Sequence, residues 1–164
     1  MDNKTQEQHL KSYIRFGIGR LNNYVSIGGG LFLPLTEKFI IGTRVNVNSE
    51  IDMFKVPNEG LLDIDLSVRY VPFLLDRVVI MGGIGIGYAN IKKRGKFIQR
   101  QLFGLIEEYE LKKYKSLSLL TEIEIGFFLT RFLGISVATY SILTSHKNVY
   151  AFQLGLFLYG LSAQ

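Results

Sequence analysis

The 164-residue sequence predicts an all-β fold, an eight-stranded antiparallel up-and-down barrel. Three observations predict it. Apolar residues alternate with small or polar ones in eight stretches, the period of strands rather than helices. Tight connections alternate with longer ones along the chain. Eleven of the seventeen glycines fall on the face opposite the apolar one.

Each stretch carries the same alternation. In the first, Ile14, Phe16 and Ile18 oppose Arg15, Gly17 and Gly19. The second sets Val25, Ile27, Leu31 and Leu33 against Ser26, Gly28, Gly30 and Phe32, and the third Phe39, Ile41, Thr43, Val45 and Val47 against Gly42, Arg44, Asn46 and Asn48. In the fourth, Leu62, Ile64, Leu66, Val68 and Tyr70 oppose Asp63, Asp65, Ser67 and Arg69. Ile80, Ile84, Ile86 and Tyr88 face away from Met81, Gly83, Gly85 and Gly87 in the fifth. The sixth runs Leu117, Leu119, Thr121, Ile123, Ile125 and Phe127 against Ser118, Leu120, Glu122, Glu124 and Gly126. Leu133, Ile135, Val137 and Thr139 form the seventh, and Tyr150, Phe152, Leu154, Leu156 and Leu158 the eighth.

Even-to-odd links are tight, near residues 34–38, 72–77 and 130–132. Pro34 and Pro72 are read there as strand ends, because proline cannot donate to the ladder. The long links, residues 49–60 and 92–115, both fall at the other rim. The barrel is assigned residues 12–160, with a polar tail at residues 1–11 (which holds His9) and a short tail at residues 161–164.

Two barrels fit this pattern. A soluble lipocalin-like carrier points its apolar face inward; a membrane barrel turns it toward lipid and fills its lumen with polar side chains. The glycines favour the membrane barrel. Glycine weakens a water-facing strand, whereas the crowded interior of an eight-stranded barrel requires small residues. The same face carries Arg15, Arg44 and Arg69 with Asp63, Asp65, Glu122 and Glu124, a set that can pair as an interior plug, since unpaired buried charge is costly. Tyr70 and Phe127 face outward near the short-turn rim, and Tyr88 and Tyr150 near the other, as interface aromatics do. Residues 1–11 hold no apolar core of a secretory signal: either the protein is not exported or Met1 replaces a removed signal.

Residues 12–160 resemble the small OmpA/OmpX-type outer-membrane barrels, the opacity and porin-like β-barrel family. The resemblance rests on this architecture, on YVPFLLDRVVIMGGIGIGY at residues 70–88, and on the closing YAFQLGLFLYG. In that family the last strand carries an assembly signal. Gln153, Gly155 and Leu158 match its polar, glycine and apolar positions, and Gly160 stands at its terminal position. The resemblance implies a Gram-negative outer-membrane location, lipid contact and recognition by the outer-membrane assembly machinery. A monomer is expected.

The net charge of +5 has one address. Residues 92–115 hold Lys92, Lys93, Arg94, Lys96, Arg100, Lys112, Lys113 and Lys115 against Glu107, Glu108 and Glu110; the remainder is neutral. The middle of the stretch, residues 97–106, is apolar enough to order, by extending the fifth and sixth strands above the membrane, and long loops on a rigid scaffold tend to carry function. One reading is an anion-contacting loop that meets the phosphates of outer-leaflet lipopolysaccharide; the other is a solvated rim kept soluble by its lysines. Nucleic-acid binding is not expected, since there is no recognised module.

No cofactor or metal signature appears, and the absence of cysteine removes thiolate chemistry. GGIGIGY lies within a strand, so it is not a dinucleotide loop. Some family barrels deacylate lipid A with a His-x-Ser pair, but here Asn148 stands two residues after His146, and His146 reads as a solvated loop residue. Eight strands leave no wide channel. The expected function is a non-enzymatic structural or adhesive anchor that displays its loops, ahead of the soluble carrier and of a lipid-A-modifying enzyme.

Overall fold

The structure is a computed structural model that describes residues 12–21, 24–75 and 77–159. Expectations for residues 1–11, His9, Gly160 and residues 161–164 lie outside them. The strands are β1 (Tyr13–Leu21), β2 (Tyr24–Pro34), β3 (Phe39–Glu50), β4 (Lys55–Val56), β5 (Gly60–Leu74), β6 (Val78–Gln101), β7 (Ile106–Phe128), β8 (Leu133–Thr144) and β9 (Val149–Tyr159). All but β4 form the barrel. Each pairs antiparallel with its neighbour, and β1 closes the ring on β9, with Tyr13 opposite Tyr159. β4 is a two-residue strand that runs parallel to β7, outside the barrel.

One sequence expectation is corrected and one is sharpened. Pro72 does not end a strand. β5 continues to Leu74, and the register slips between Tyr70 and Phe73; a bulge accommodates the missing donor. Residues 92–115 are ordered by strand extension, as their apolar middle leads one to expect, and the extension takes in the whole stretch. β6 and β7 run on past the barrel as a two-stranded ribbon that pairs out to Gln101 and Ile106, with residues 102–105 as its turn. The rung-by-rung hydrogen bonding that builds the wall also builds the ribbon, and it needs no change in sequence period.

The faces sort as the alternation requires. Arg15, Arg44, Arg69, Asp63 and Gln153 are fully buried in the lumen, while Ile84, Ile123, Leu154 and Leu117 are 57–81% exposed on the outside. No polar solvent tolerates such a continuous apolar belt, whereas a bilayer core requires it. Closure pairs the backbone groups that lipid cannot satisfy. The soluble-carrier alternative falls here, because the apolar wall faces out and the charges face in. Tyr70, Tyr88, Phe127 and Tyr150 all stand outward, and the Tyr70 ring lies 5.3 Å from that of Phe39 at the short-turn rim.

The lumen is layered. Tyr13, Phe32, Ile40, Val71, Val79, Met81 and Phe157 form an apolar cluster at the short-turn end. Leu61, Ala89, Ile91, Leu120, Tyr140, Ile142, Val149 and Ala151 form another toward the loop end. The charged residues lie between them. Glycine is what lets these side chains cross the bore: a Cβ at Gly126 would stand 2.6 Å from the Phe157 ring and 2.8 Å from Val79.

Candidate functional site

The charged layer is one connected chain of contacts. Arg15 of β1 pairs with Glu124 of β7, and its guanidinium also donates to Gln153 Oε1 at 3.0 Å. Arg69 of β5 reaches Glu124 at 2.9 Å and Glu122 at 2.5 Å. It also donates to the Tyr13 hydroxyl at 2.9 Å, and its guanidinium carbon sits 3.7 Å over the centre of the Phe32 ring. Arg44 of β3 pairs with Glu122 at 2.5 Å and approaches Asp65 at 3.5 Å. Alternation places all these side chains inward, and closure brings β1, β3, β5 and β7 close enough to share two glutamates.

Asp63 departs from the expected network. It is buried in the lumen but makes no arginine pair among the described residues; its carboxylate accepts from the Ser118 hydroxyl. The reason is register, since Asp63 lies opposite Asn46 while Asp65 lies opposite Arg44. A second group, whose pairing residue parity does not show, extends the layer upward. The Gln153 amide donates to Ser26 Oγ at 2.8 Å, and the Tyr140 hydroxyl donates to Asn48 Oδ1 at 3.0 Å.

The basic residues of the ribbon divide into two sets. Arg94 is committed to Glu50 at 2.8 Å, Arg100 to Glu107 at 3.2 Å and Lys112 to Glu110 at 4.0 Å. The Lys93 ammonium donates to the His146 carbonyl. Lys92, Lys96, Lys113 and Lys115 are exposed and have no ion-pair partner among the described residues. On consecutive rungs Lys92 lies opposite Lys113, and Lys93 opposite Lys112. Like charges directly across a ladder repel, so this stretch concentrates positive potential just above the barrel. The His146 ring stacks on Tyr114 with centroids 4.4 Å apart.

A rim cluster, also missed in the sequence, ties the loops to the barrel. Lys147 donates to Glu59 at 2.8 Å and to the Tyr24 hydroxyl at 2.7 Å, and Tyr24 donates to Glu59 at 3.0 Å. The Arg94 backbone N–H donates to Glu59 Oε1 at 3.1 Å. Burial works to raise the Glu59 carboxyl, but Lys147, the Arg94 amide and Tyr24 outweigh it and hold the group at about 2, against an ordinary 4.5. A depressed carboxyl stabilises the folded rim above its unfolded value and loses that contribution as pH falls through its folded value. The Arg94 amide resonance is therefore expected to stay constant from pH 7 to about 4.5 and then move with a midpoint near 2. Glu59→Gln abolishes the transition, which NMR titration checks.

These features define a class first: an eight-stranded transmembrane β-barrel with an apolar belt and a charged, layered lumen. Solved structures of that class share its fold. The N-terminal β-barrel domain of Pseudomonas aeruginosa OprF superimposes with a TM-score of 0.62 at 14% identity, covering 92% of this chain and 97% of that one. Ail, the attachment invasion locus protein of Yersinia pestis, gives 0.60 at 12% identity over 90% and 95%. A further Ail structure holds the heparin analogue sucrose octasulfate. A de novo designed transmembrane β-barrel gives 0.57 at 8% identity over 94% and 98%. No family model and no curated protein matches the sequence.

Proposed function

We propose that the protein is a non-enzymatic, monomeric outer-membrane barrel of a Gram-negative bacterium. Its lumen is plugged, and its ribbon holds phosphate- or sulfate-bearing surface polyanions, lipopolysaccharide foremost. The observation that carries this reading is the Lys92–Lys113 rung, which with Lys96 and Lys115 gives four exposed ammonium groups without an ion-pair partner among the described residues. An anion held at that rung relieves a repulsion between its two lysines. The sulfated ligand of the Ail complex supports the same chemistry on the same fold. The plug rests on the two apolar clusters that bracket the charged layer. On β9, Gln153 points into the lumen and Leu158 outward, and we propose this strand as the one the assembly machinery reads.

The test replaces Lys92, Lys96, Lys113 and Lys115 with Gln and measures lipopolysaccharide association at several salt concentrations. Wild-type binding is expected to weaken as salt rises, and the variant to bind less and to depend less on salt. Unchanged, salt-insensitive association would reject the reading.

A further inference from the structure

The ribbon carries a groove of about 570 Å³, lined by Phe97, Arg100, Glu107 and Tyr109, a size that suits a small ligand. Two bulges build it. Below them Lys92 pairs with Lys113 and Arg94 with Leu111, a register that would next set Lys96 opposite Tyr109. β6 takes one extra residue there, and Phe97 meets Tyr109 instead. It takes another between Phe97 and Gln99, which brings Arg100 rather than Gln99 opposite Glu107. Bulges re-aim side chains in this way and recur beside functional sites. Here they put a second ring where a lysine would stand, and a guanidinium where an amide would.

The groove is fixed in advance. The Phe97 and Tyr109 rings lie 5.7 Å apart at 76°, so one forms a floor and the other a wall. The Arg94 guanidinium, held by Glu50, lies 5.7 Å from the centre of the Tyr109 ring. The Tyr109 hydroxyl donates to Glu107 at 2.8 Å, and the Glu107 N–H donates to the Phe54 carbonyl at 2.7 Å. A corner held this way lowers the ordering cost of binding. Arg100 reaches Glu107 through Nη2, and its side chain is 64% exposed. Most of its five N–H donors therefore face solvent, beside a carboxylate with lone pairs to spare.

A fitting ligand has an apolar face for the rings and edge groups that both donate to Glu107 and accept from Arg100. Glu107 repels a bare anion, and an acyl chain would cover the guanidinium and the carboxylate without satisfying them. A hydroxyl both donates and accepts, and a pyranose sets adjacent hydroxyls around a face of C–H groups. Tyr109 and Lys113 share a face of β7, since residues two apart point the same way, and they lie about 13 Å apart at strand spacing. A glycan with a neutral ring in the groove thus reaches the Lys92–Lys113 rung with a phosphate.

We propose that this groove seats a sugar ring of a phosphate-bearing surface glycan, against Phe97 and Tyr109 and with its hydroxyls between Arg100 and Glu107. The inference deepens the polyanion reading and rests on it for the identity of the glycan. The two contacts separate by salt, since ring stacking persists where lysine contacts are screened.

Three probes are titrated into the protein in nanodiscs at low and at high salt: core oligosaccharide released from lipopolysaccharide, the same oligosaccharide stripped of phosphate, and inorganic phosphate. NMR follows the ring resonances of Phe97 and Tyr109. The stripped oligosaccharide should shift them alike at both salt levels, and inorganic phosphate should not. Phe97→Ala should weaken the stripped oligosaccharide roughly tenfold, the loss expected for one ring left unburied. Arg100→Gln/Glu107→Gln keeps both rings and should also weaken it. Tyr109→Phe should bind more tightly than Tyr109→Ala. Leu105→Ala, exposed on the ribbon outside the groove, should bind as the wild type does. Equal binding of the stripped oligosaccharide by the wild type and Phe97→Ala overturns the proposal. So do ring shifts produced by a neutral peptide and not by the oligosaccharide, which would make the groove a peptide site. If the phosphorylated and stripped forms bind alike and without salt dependence, the polyanion reading fails while the groove's own contact is upheld.

Discussion

Arg69→Met is expected to lower the unfolding free energy by about 3–5 kcal/mol, the range for breaking a buried ion pair from one side. The variant keeps most of the volume but leaves Glu122 and Glu124 without the cation they share and removes the donor to the Tyr13 hydroxyl. Two arginines then face four lumen carboxylates. Urea titration of protein refolded into vesicles, read by heat-modifiable gel mobility, measures the loss. Adding Glu122→Gln should recover part of it, because the second change removes the uncompensated charge. If Arg69→Met is as stable as the wild type, the charged layer does not hold the wall together. In planar bilayers the same wild-type preparation should show no conductance steps if the apolar clusters seal the lumen.

The second large effect lies on the opposite face. Ile123 is 58% exposed on the outer wall and sits between Glu122 and Glu124, level with the middle of the charged layer. Ile123→Arg is expected to cost about 2–4 kcal/mol in a bilayer, the penalty for a cation at midplane, while Tyr88→Arg near the loop rim should cost about 0–1 kcal/mol. Depth dependence is the signature. A wall facing water would tolerate both substitutions, since exposed surface changes usually stay within about 0.5 kcal/mol.

Much of this was legible in the sequence, because a strand's two faces are read directly from residue parity. Parity placed Arg15, Arg44, Arg69, Glu122 and Glu124 in the lumen before any contact was seen. It does not fix register between distant strands, so it could not tell that Asp65 meets Arg44 while Asp63 meets Ser118. It also places Glu50 inward at the end of β3, a signal that could have led to its Arg94 pair. Glu59 and Lys147 lie far apart in the chain and outside any strand, so no periodicity links them. The ribbon was legible in part. The apolar middle at residues 97–106 pointed to strands extended above the barrel, but the turn, Leu102-Phe103-Gly104-Leu105, lacks the usual turn chemistry, so the point where the two strands meet could not be read. Apolar residues on the glycine-rich face, such as Phe32, Leu120 and Phe157, are the signal that could have led to the end clusters; closure is what sets them on both sides of the charges.

The ion-pair chain also bears on how the ring forms. Arg15 and Glu124 are 109 residues apart, and Arg44 and Glu122 are 78 apart. Neither pair exists in an isolated hairpin or a half-built sheet. Contacts of such long range form late and slow the search for the native state. Until β1 meets β9, the inward arginines and carboxylates stand partly uncompensated, and an open sheet that slid into lipid would bear their full desolvation cost. Charge pairing is therefore completed only in the finished ring, so an incomplete barrel entering lipid bears a desolvation cost that the closed one does not.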